Sequence, residues 1–407
     1  LVVDATRDGE VARVLVGLDE YRVLGAVERD DELVVMVEVD RPEMPCPRCG
    51  VFSRRVKQYR WQRVRDGLSF ARPTILWWRK RRFRCETPGC CASFTEQTAQ
   101  VPARARLTRR VRDAIAAAVR TRSTAEVAGE YRVSWWTAWR ATVTVIQRLL
   151  AARPVIPPAQ LGLDETTFRR PQRFATGLVD LGSGKLWDLL EGRSRRIVSE
   201  RLHDLSDDVA RIGDVVIDPF AGYKAAVRDL APAARRTADR FHIIKLANQA
   251  VTDVRCRRQQ ETAGRRGRRG DPAYRARRDL LRARERLSDH GWARLHAAFA
   301  LDTTFELECA WVVKEALRDL YTCATRAEAE AALAEWYTLV DTYNVPELSR
   351  LATTIHRWQD EVLAWFDSRL TNGRTEGRNL TIKSVKRSGF GFRNFENYRL
   401  RVLYRCS

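Results

Sequence analysis

Two pairs of cysteines near the start of the chain restrict its folding more than any other feature. Cys46-Pro47-Arg48-Cys49 and Cys85-Glu86-Thr87-Pro88-Gly89-Cys90 each put two thiols on a turn made by proline or glycine, and 35 residues, 50 through 84, lie between the pairs. Four thiolates converging from two such turns close a tetrahedral Zn2+ site, and a structural site of that kind fixes a small module outright. The sequence between the pairs is strand-like, aromatic and basic, as in Trp77-Trp78-Arg79-Lys80-Arg81-Arg82-Phe83-Arg84, which predicts a β module. Cys91 competes with Cys90 for the fourth ligand position, and spacing does not decide between them. Cys256, Cys309, Cys323 and Cys406 are isolated and read as packing residues. Nine cysteines, an odd number, argue against a disulfide framework.

Ahead of this module, residues 1–40 alternate apolar and polar in short runs and read as a hairpin. Behind it, residues 104–150 switch to helical spacing, with Val111, Ile115 and Val119 on one face, and three helices fit. Ser123-Thr124-Ala125-Glu126 has the form of a capping box, and Ser134 can cap a following helix that carries Trp135, Trp136, Trp139 and Arg140. Helix, short turn, helix is the arrangement that lays a second helix in the DNA major groove, although helical hairpins of this look also occur as plain packing. Two of the tryptophans are expected in the core. Arg140, with Arg109, Arg110 and Arg112, is expected to face phosphates.

A proline-rich joint at 153–158 introduces a different pattern, short apolar runs that end in acidic residues. Leu161-Gly162-Leu163-Asp164 is the first, 174–180 the second, 185–190 the third and 214–218 the fourth. Three strands followed by strands alternating with helices predict an α/β sheet. Asp164 and Asp218 each follow an apolar run, and their separation of 54 positions accommodates a three-strand meander, a helix and a fourth strand. That is the topology of an RNase H-like fold, in which the first and fourth strands are neighbours. Polynucleotide cleavage with two divalent ions requires carboxylates converging from separate elements, and Glu376, in the first turns of a late helix, offers the third. Taken singly, a strand-ending Asp often only opens a turn, and Glu165, Asp180 and Asp214 have similar surroundings in sequence. Asp239 follows a fifth strand and is expected to support the site with His242, which equally fits a buried, satisfied histidine. Residues from 242 to about 350 read as almost wholly helical, broken by the basic loop Gly264–Gly270, and form an all-helical insertion at about 246–350.

Charge narrows the function classes. Lys and Arg number 73 against 52 Asp and Glu, a net charge of +21, and only eight of the 73 are lysine. Such a chain repels itself unless a polyanion neutralises it. No apolar run reaches the 18 or so residues of a spanning helix, and Leu1-Val2-Val3-Asp4 lacks the marks of an export signal, so a cytoplasmic location and no membrane partner are expected. Nucleic acid remains. Arg265, Arg266, Arg268 and Arg269, with Lys383, Lys386 and Arg387, are expected on backbone phosphates, a solvated basic face being the plain alternative.

Taken together these segments resemble the ISL3 family of bacterial insertion-sequence transposases along nearly the whole chain. The likeness is carried by Cys46-Pro47-Arg48-Cys49-Gly50, Arg82-Phe83-Arg84-Cys85, Leu163-Asp164-Glu165, Glu191-Gly192-Arg193-Ser194, Asp239-Arg240-Phe241-His242 and Asn372-Gly373-Arg374-Thr375-Glu376-Gly377-Arg378-Asn379, with Gly389–Phe395 and Arg399–Cys406 at the end. The resemblance implies a multidomain α+β protein: N-terminal strands and a four-cysteine zinc-binding domain over 1–100, a helix-turn-helix over 101–152, and an RNase H-like catalytic domain over 159–407 that holds the helical insertion. It implies a triad of Asp164, Asp218 and Glu376 holding two Mg2+ or Mn2+ ions, and Zn2+ on Cys46, Cys49, Cys85 and Cys90. The implied activity is cleavage and strand transfer of double-stranded DNA at terminal inverted repeats and a target, by a homo-oligomer on bacterial nucleoid DNA. The competing classes are a non-catalytic zinc and helix-turn-helix regulator descended from such an enzyme, and an RNA-processing nuclease sharing the sheet topology.

Overall fold

The structure, a computed structural model, describes residues 2–4, 16–69, 72–153, 156–169, 171 and 173–406. Pro154 and Val155 of the proline-rich joint, and residues 5–15 ahead of the expected hairpin, lie outside them. Two compact units emerge, residues 1–154 with 384–405, and residues 155–383 with 406–407.

In the first unit, β1 (Val2–Asp4) pairs with β2 (Tyr21–Arg29), which turns through Asp30 and Asp31, both at positive φ, into β3 (Glu32–Val39). Two-residue strands β4 (Met44–Pro45) and β5 (Phe52–Ser53) flank the first cysteine pair. A long antiparallel pair, β6 (Val56–Ser69) and β7 (Arg72–Arg84), follows, with β8 (Ser93–Thr95) on β7. The sheet order is β1-β2-β3-β7-β6, and β3 runs parallel to β7. Residues two apart along the strands, Tyr21 and Val23, Val35 and Val37, Leu76 and Trp78, share one buried cluster, as strand alternation dictates.

Three helices complete the expected bundle: α1 (Arg109–Val119), α2 (Thr124–Glu130) and α3 (Trp135–Ala151). Thr108, Ser123 and Ser134 cap them, each side-chain oxygen accepting an N–H three residues on. The capping box at Ser123 is half made, because the Glu126 carboxylate accepts from Arg122 Nε at 2.9 Å. Of the three tryptophans in α3 only Trp139 is buried; Trp135 and Trp136 are 41 and 63 % exposed, a correction to the expectation that two enter the core. They occupy the first turn of α3, whose buried stripe is Ala138, Trp139, Ala141, Thr142, Val145 and Ile146.

The second unit is built on β9 (Gln160–Arg169), β10 (Arg173–Asp180), β11 (Leu186–Glu191), α4 (Arg195–His203), β12 (Asp214–Ile217), α5 (Ala221–Leu230) and β13 (Arg235–Ala238). The sheet order is β11-β10-β9-β12-β13, antiparallel among the first three and parallel from β9 to β13, which is the RNase H-like arrangement. The 24-residue α6 (Arg240–Ala263) leaves the sheet and ends at Gly264, whose φ of 63° suits glycine. Helices α7 (Pro272–Arg275), α8 (Asp289–Phe299), α9 (Glu306–Leu320), α10 (Arg326–Tyr343), α11 (Pro346–Arg357) and α12 (Gln359–Ser368) form the helical insertion and its return. One apolar cluster runs from Leu161 and Ile217 in the sheet to Leu333 and Trp336 in the insertion.

The chain closes with α13 (Gly373–Ser388) and α14 (Phe395–Cys406). The basic, aromatic residues at the end of the chain are therefore helical as well. Leu400 and Tyr404 of α14 pack on Ala116, Val145 and Ile146, so its turns group with the helix-turn-helix in the first unit. Among the described residues no helix is long and apolar enough to cross a membrane.

Candidate functional site

Parallel pairing of β12 with β9 runs from Asp214 beside Gln160 to Ile217 beside Leu163. The next residue on each strand is an aspartate, so Asp164 and Asp218 come side by side at the carboxyl ends of the apolar ladder. Asp164 does not end its strand as the sequence predicts. β9 continues to Arg169 because its other edge stays paired with β10, where Asp164 faces Gly177. Asp239 follows β13, the strand beyond β12, and its N–H donates to Ile217 O at 2.9 Å. It is the residue that opens α6, and one turn on His242 Nδ1 stands 3.1 Å from both Asp218 Oδ1 and Asp239 Oδ2. Asp164, Asp218 and His242 bring one potential ligand atom each within 4.8 Å of one another.

Helix α13 lies over this group. Asn372, just before the helix, donates from Nδ2 to Leu163 O at 3.0 Å and lies 3.5 Å from Asp218 Oδ1, while its N–H donates to Asp239 Oδ1 at 3.2 Å. Two turns along, Asn379 Nδ2 donates to Asp164 Oδ2 at 2.6 Å, and Glu165 N–H holds the other oxygen at 2.6 Å. Gly162 permits the approach: an added methyl there would sit 2.7 Å from Asn372 Oδ1, 2.8 Å from a Leu181 methyl and closer still to Thr375 Oγ1. Glu376 lies in the first turn of α13 on the face shared by Asn372 and Asn379, lining a cavity with Asp239, Arg240 and Tyr321. It is half-buried and stands outside the 4.8 Å group. Neither asparagine was singled out from sequence. The i, i+4, i+7 spacing of 372, 376 and 379 is the signal that would have found them.

Asp164, Asp218 and Asp239 are 7, 9 and 2 % exposed, and among the described residues no Lys or Arg is paired with any of them. Burial, together with the Asp164 carboxylate with which it shares a hydrogen bond and the charge of Asp239, pushes Asp218 up to about 9, against a lowering by the Asn372 amide. Buried carboxylates with no Lys or Arg partner, next to an imidazole, form a hard oxygen and nitrogen donor set that fits a divalent cation. Behind them Tyr223, buried and with its ionisation pushed up by that burial, exchanges a 2.8 Å hydrogen bond with Thr176 and closes the floor. Asp180, Asp214 and Glu165 are used elsewhere: Asp180 caps its own turn at Gly182, Asp214 pairs with Arg235 and Glu165 with Arg193.

In the first unit the sulfurs of Cys46, Cys49, Cys85 and Cys90 all lie within 4.8 Å of one another. Cys46 Sγ is 3.8 Å from Cys90 Sγ, and Cys49 Sγ 3.5 Å from Cys85 Sγ. A tetrahedron with Zn–S bonds of about 2.3 Å has edges of about 3.8 Å, so the four fit a structural zinc ion. Cys91 is exposed with a φ of 43° and is not in that group of four, whereas Cys90 is.

Arg140 is exposed on α3 and lines a surface cavity with Arg104, Arg106 and Arg112. Arg110 has another task, since its guanidinium binds the buried Asp66 and the carbonyls of Val16 and Gly17. Of the loop arginines, Arg266, Arg268 and Arg269 are exposed, whereas Arg265 pairs with Asp271 at 3.0 Å. Lys383 and Arg387 are exposed on α13, with Lys386 half-buried between them in sequence.

Comparison with known proteins matches these parts one by one. The zinc-finger of transposase IS204/IS1001/IS1096/IS1165 matches residues 42–91, and the helix-turn-helix domain of transposase family ISL3 matches 96–143. The transposase for insertion sequence element IS1001 of Bordetella parapertussis is 28 % identical over 370 residues, 88 % of each chain. The transposase for IS1557 of Mycobacterium tuberculosis is 28 % identical over 291 residues, 65 % of this chain and 64 % of its own. The Drosophila P element transposase strand transfer complex is a distant structural neighbour, at a TM-score of 0.39 and 12 % identity over 72 % of this chain and 91 % of that one. The transposase family DDE_Tnp_ISL3 matches residues 161–402, well over half of the sequence, and with its zinc finger and helix-turn-helix in place this chain belongs to the ISL3 family of transposases.

Proposed function

We propose that the chain binds the terminal inverted repeats of an insertion sequence and carries out divalent-metal-dependent cleavage and strand transfer of double-stranded DNA at Asp164, Asp218 and Glu376. The observation that supports this most is the Asp164 and Asp218 pair, buried side by side with no Lys or Arg partner among the described residues. A non-catalytic regulator has no use for two carboxylates that repel each other in its core, a cost that a cation site explains. Glu376 is assigned as the third carboxylate because the helix that carries it already binds both aspartates through Asn372 and Asn379.

What Mg2+ or Mn2+ held by these carboxylates would supply is activation of the attacking oxygen and neutralisation of charge at the leaving oxygen. The chain's own residues do the positioning. Asn379 and the Glu165 N–H fix both oxygens of Asp164, and an Nδ1 proton on His242 would bridge Asp218 and Asp239. Burial excludes bulk water from this face. Water, and then the freed 3′-hydroxyl, serves as nucleophile, so no Ser or Cys is required. We assign terminal-repeat recognition to the zinc domain within 1–100 and the helix-turn-helix within 101–152, with Arg140 on phosphate or base, and strand chemistry to 159–407, where the 246–350 insertion, Arg265, Arg266, Arg268, Arg269, Lys383, Lys386 and Arg387 hold backbone. Two DNA ends joined in one reaction call for a homo-oligomer on DNA, working at the bacterial nucleoid.

Glu376→Gln should reduce Mg2+-dependent strand cleavage to background while binding to a terminal-repeat duplex is retained. Unchanged cleavage would remove Glu376 from the centre, and a preference for RNA or hybrid duplex would favour an RNA-processing nuclease.

A further inference from the structure

A cavity of about 460 Å3 opens in the first unit between the helix-turn-helix and the segment that leads into α14. Its walls are mostly apolar, from Trp135, Trp136, Trp139 and Phe390, with Asn397 and Arg401 adding polar groups. Trp135 and Trp136 meet edge to face at 5.0 Å, and Trp135 stacks near Trp139 at 6.0 Å. Phe390 is 91 % exposed and held there by an unusual backbone, φ 53° followed by 92° at Gly391. Arg401 is 2 % exposed; it donates to Thr124 Oγ1 at 3.1 Å and Arg122 O at 3.0 Å, and its Nε has no acceptor among the described residues.

The position of these rings limits what they can contact. The first turn of the second helix is where a helix-turn-helix meets base edges, and edge reading relies on polar side-chain hydrogen bonds, with apolar contact limited to the thymine methyl. Tryptophan and phenylalanine instead offer flat faces. In an intact duplex each base has its own faces covered by neighbours, so an aromatic ring can stack in full face contact only with a base that has left the stack. An apolar cleft of this size with a few convergent donors has the composition of a ligand pocket. A purine or pyrimidine brings a flat ring for the walls and ring-nitrogen or carbonyl acceptors for a donor floor that lacks one.

We propose that this cavity takes one unstacked nucleobase of the bound DNA, clamped between Trp136 and Phe390 above the buried Arg401. The proposal rests on the DNA-binding reading above and adds to it a distortion of the duplex at one position. Trp136 and Phe390 are exposed, so their removal leaves the core intact, which thermal melting of each variant checks.

The test measures the affinity of the full chain for terminal-repeat duplexes in which single nucleotides are replaced, one at a time, by abasic sites. Trp136→Ala and Phe390→Ala should each weaken binding to the intact repeat by about tenfold, the worth of one base on an aromatic ring. At one abasic position the variants and the parent chain should bind equally, because the partner of the ring is gone. In parallel, 5-iodouracil at that position should photocross-link to Trp135, Trp136 or Phe390. If both variants bind every duplex as tightly as the parent, or if their loss persists at all abasic positions, the pocket holds no base and the proposal is overturned. If the variants bind normally but lose self-association, a second copy of the chain is the occupant and the proposal again fails. A parent chain that binds no terminal-repeat duplex would remove the DNA reading itself, a result separate from the others.

Discussion

At the scale of single residues, Asp164 and Asp218 are too close and too well buried to carry two negative charges unaided. With Asp218 pushed up to about 9 from an ordinary value of 3.8, the native chain retains a proton that the unfolded chain gives up at far lower pH. Between those values the folded state binds more protons than the unfolded one, so stability without a cation should fall as pH rises, by at most about 1.4 kcal/mol per pH unit. Saturating Mg2+ should flatten that dependence and release protons on binding. Thermal melts at several pH values with and without Mg2+ measure this. A flat profile without metal would mean that the pair does not share a proton. Asn372 and Asn379 belong to the same balance, since neutral amides fix carboxylate oxygens without cancelling the charge a cation requires.

Among elements, the zinc module and the helix-turn-helix depend on different physics. The long β6 and β7 pair has a modest apolar cluster of its own, while the cysteine turns at one end have mostly exposed surroundings and rely on metal for their geometry. Cys85→Ser should therefore lose bound zinc and lower the melting temperature of the first unit, and Cys91→Ser should retain one zinc per chain with unchanged melting. Metal analysis of both variants by atomic absorption distinguishes them, and loss of zinc from the Cys91 variant would reverse the assignment of the fourth ligand. The helix-turn-helix, by contrast, is held by caps and packing, with Val111, Ile115 and Val119 forming the interior that their spacing predicts.

For the whole molecule, a net charge of +21 makes DNA affinity a function of salt. In the basic loop Arg265 is half-buried beside Asp271, and Arg266, Arg268 and Arg269 are the exposed members of the proposed phosphate set. Replacing these three with Gln should make the fall of log K with log salt shallower by about three, roughly one for each phosphate no longer neutralised. An unchanged slope would mark the loop as a solvated face. The sheet order and the position of the first two acids were legible because buried parallel strands read as apolar runs and each ran straight into an aspartate. The strand that continues past Asp164 was not, since its second half is supported by only one neighbour. Nor was the departure of Trp135 from the core, because helical spacing fixes a face but not how wide its buried stripe will be. The role of Gly162 depends on a helix 210 residues later in the chain, and no local pattern encodes such a contact.

That close crossing of α13 over β9 has a consequence for synthesis. The aspartates emerge early from the ribosome, but the amides that hold them arrive only with Asn372 and Asn379. A product truncated before those turns keeps its acids but lacks the two amides that fix them from this helix, so the assembly of the acidic group waits on a segment made about 200 residues after its first member.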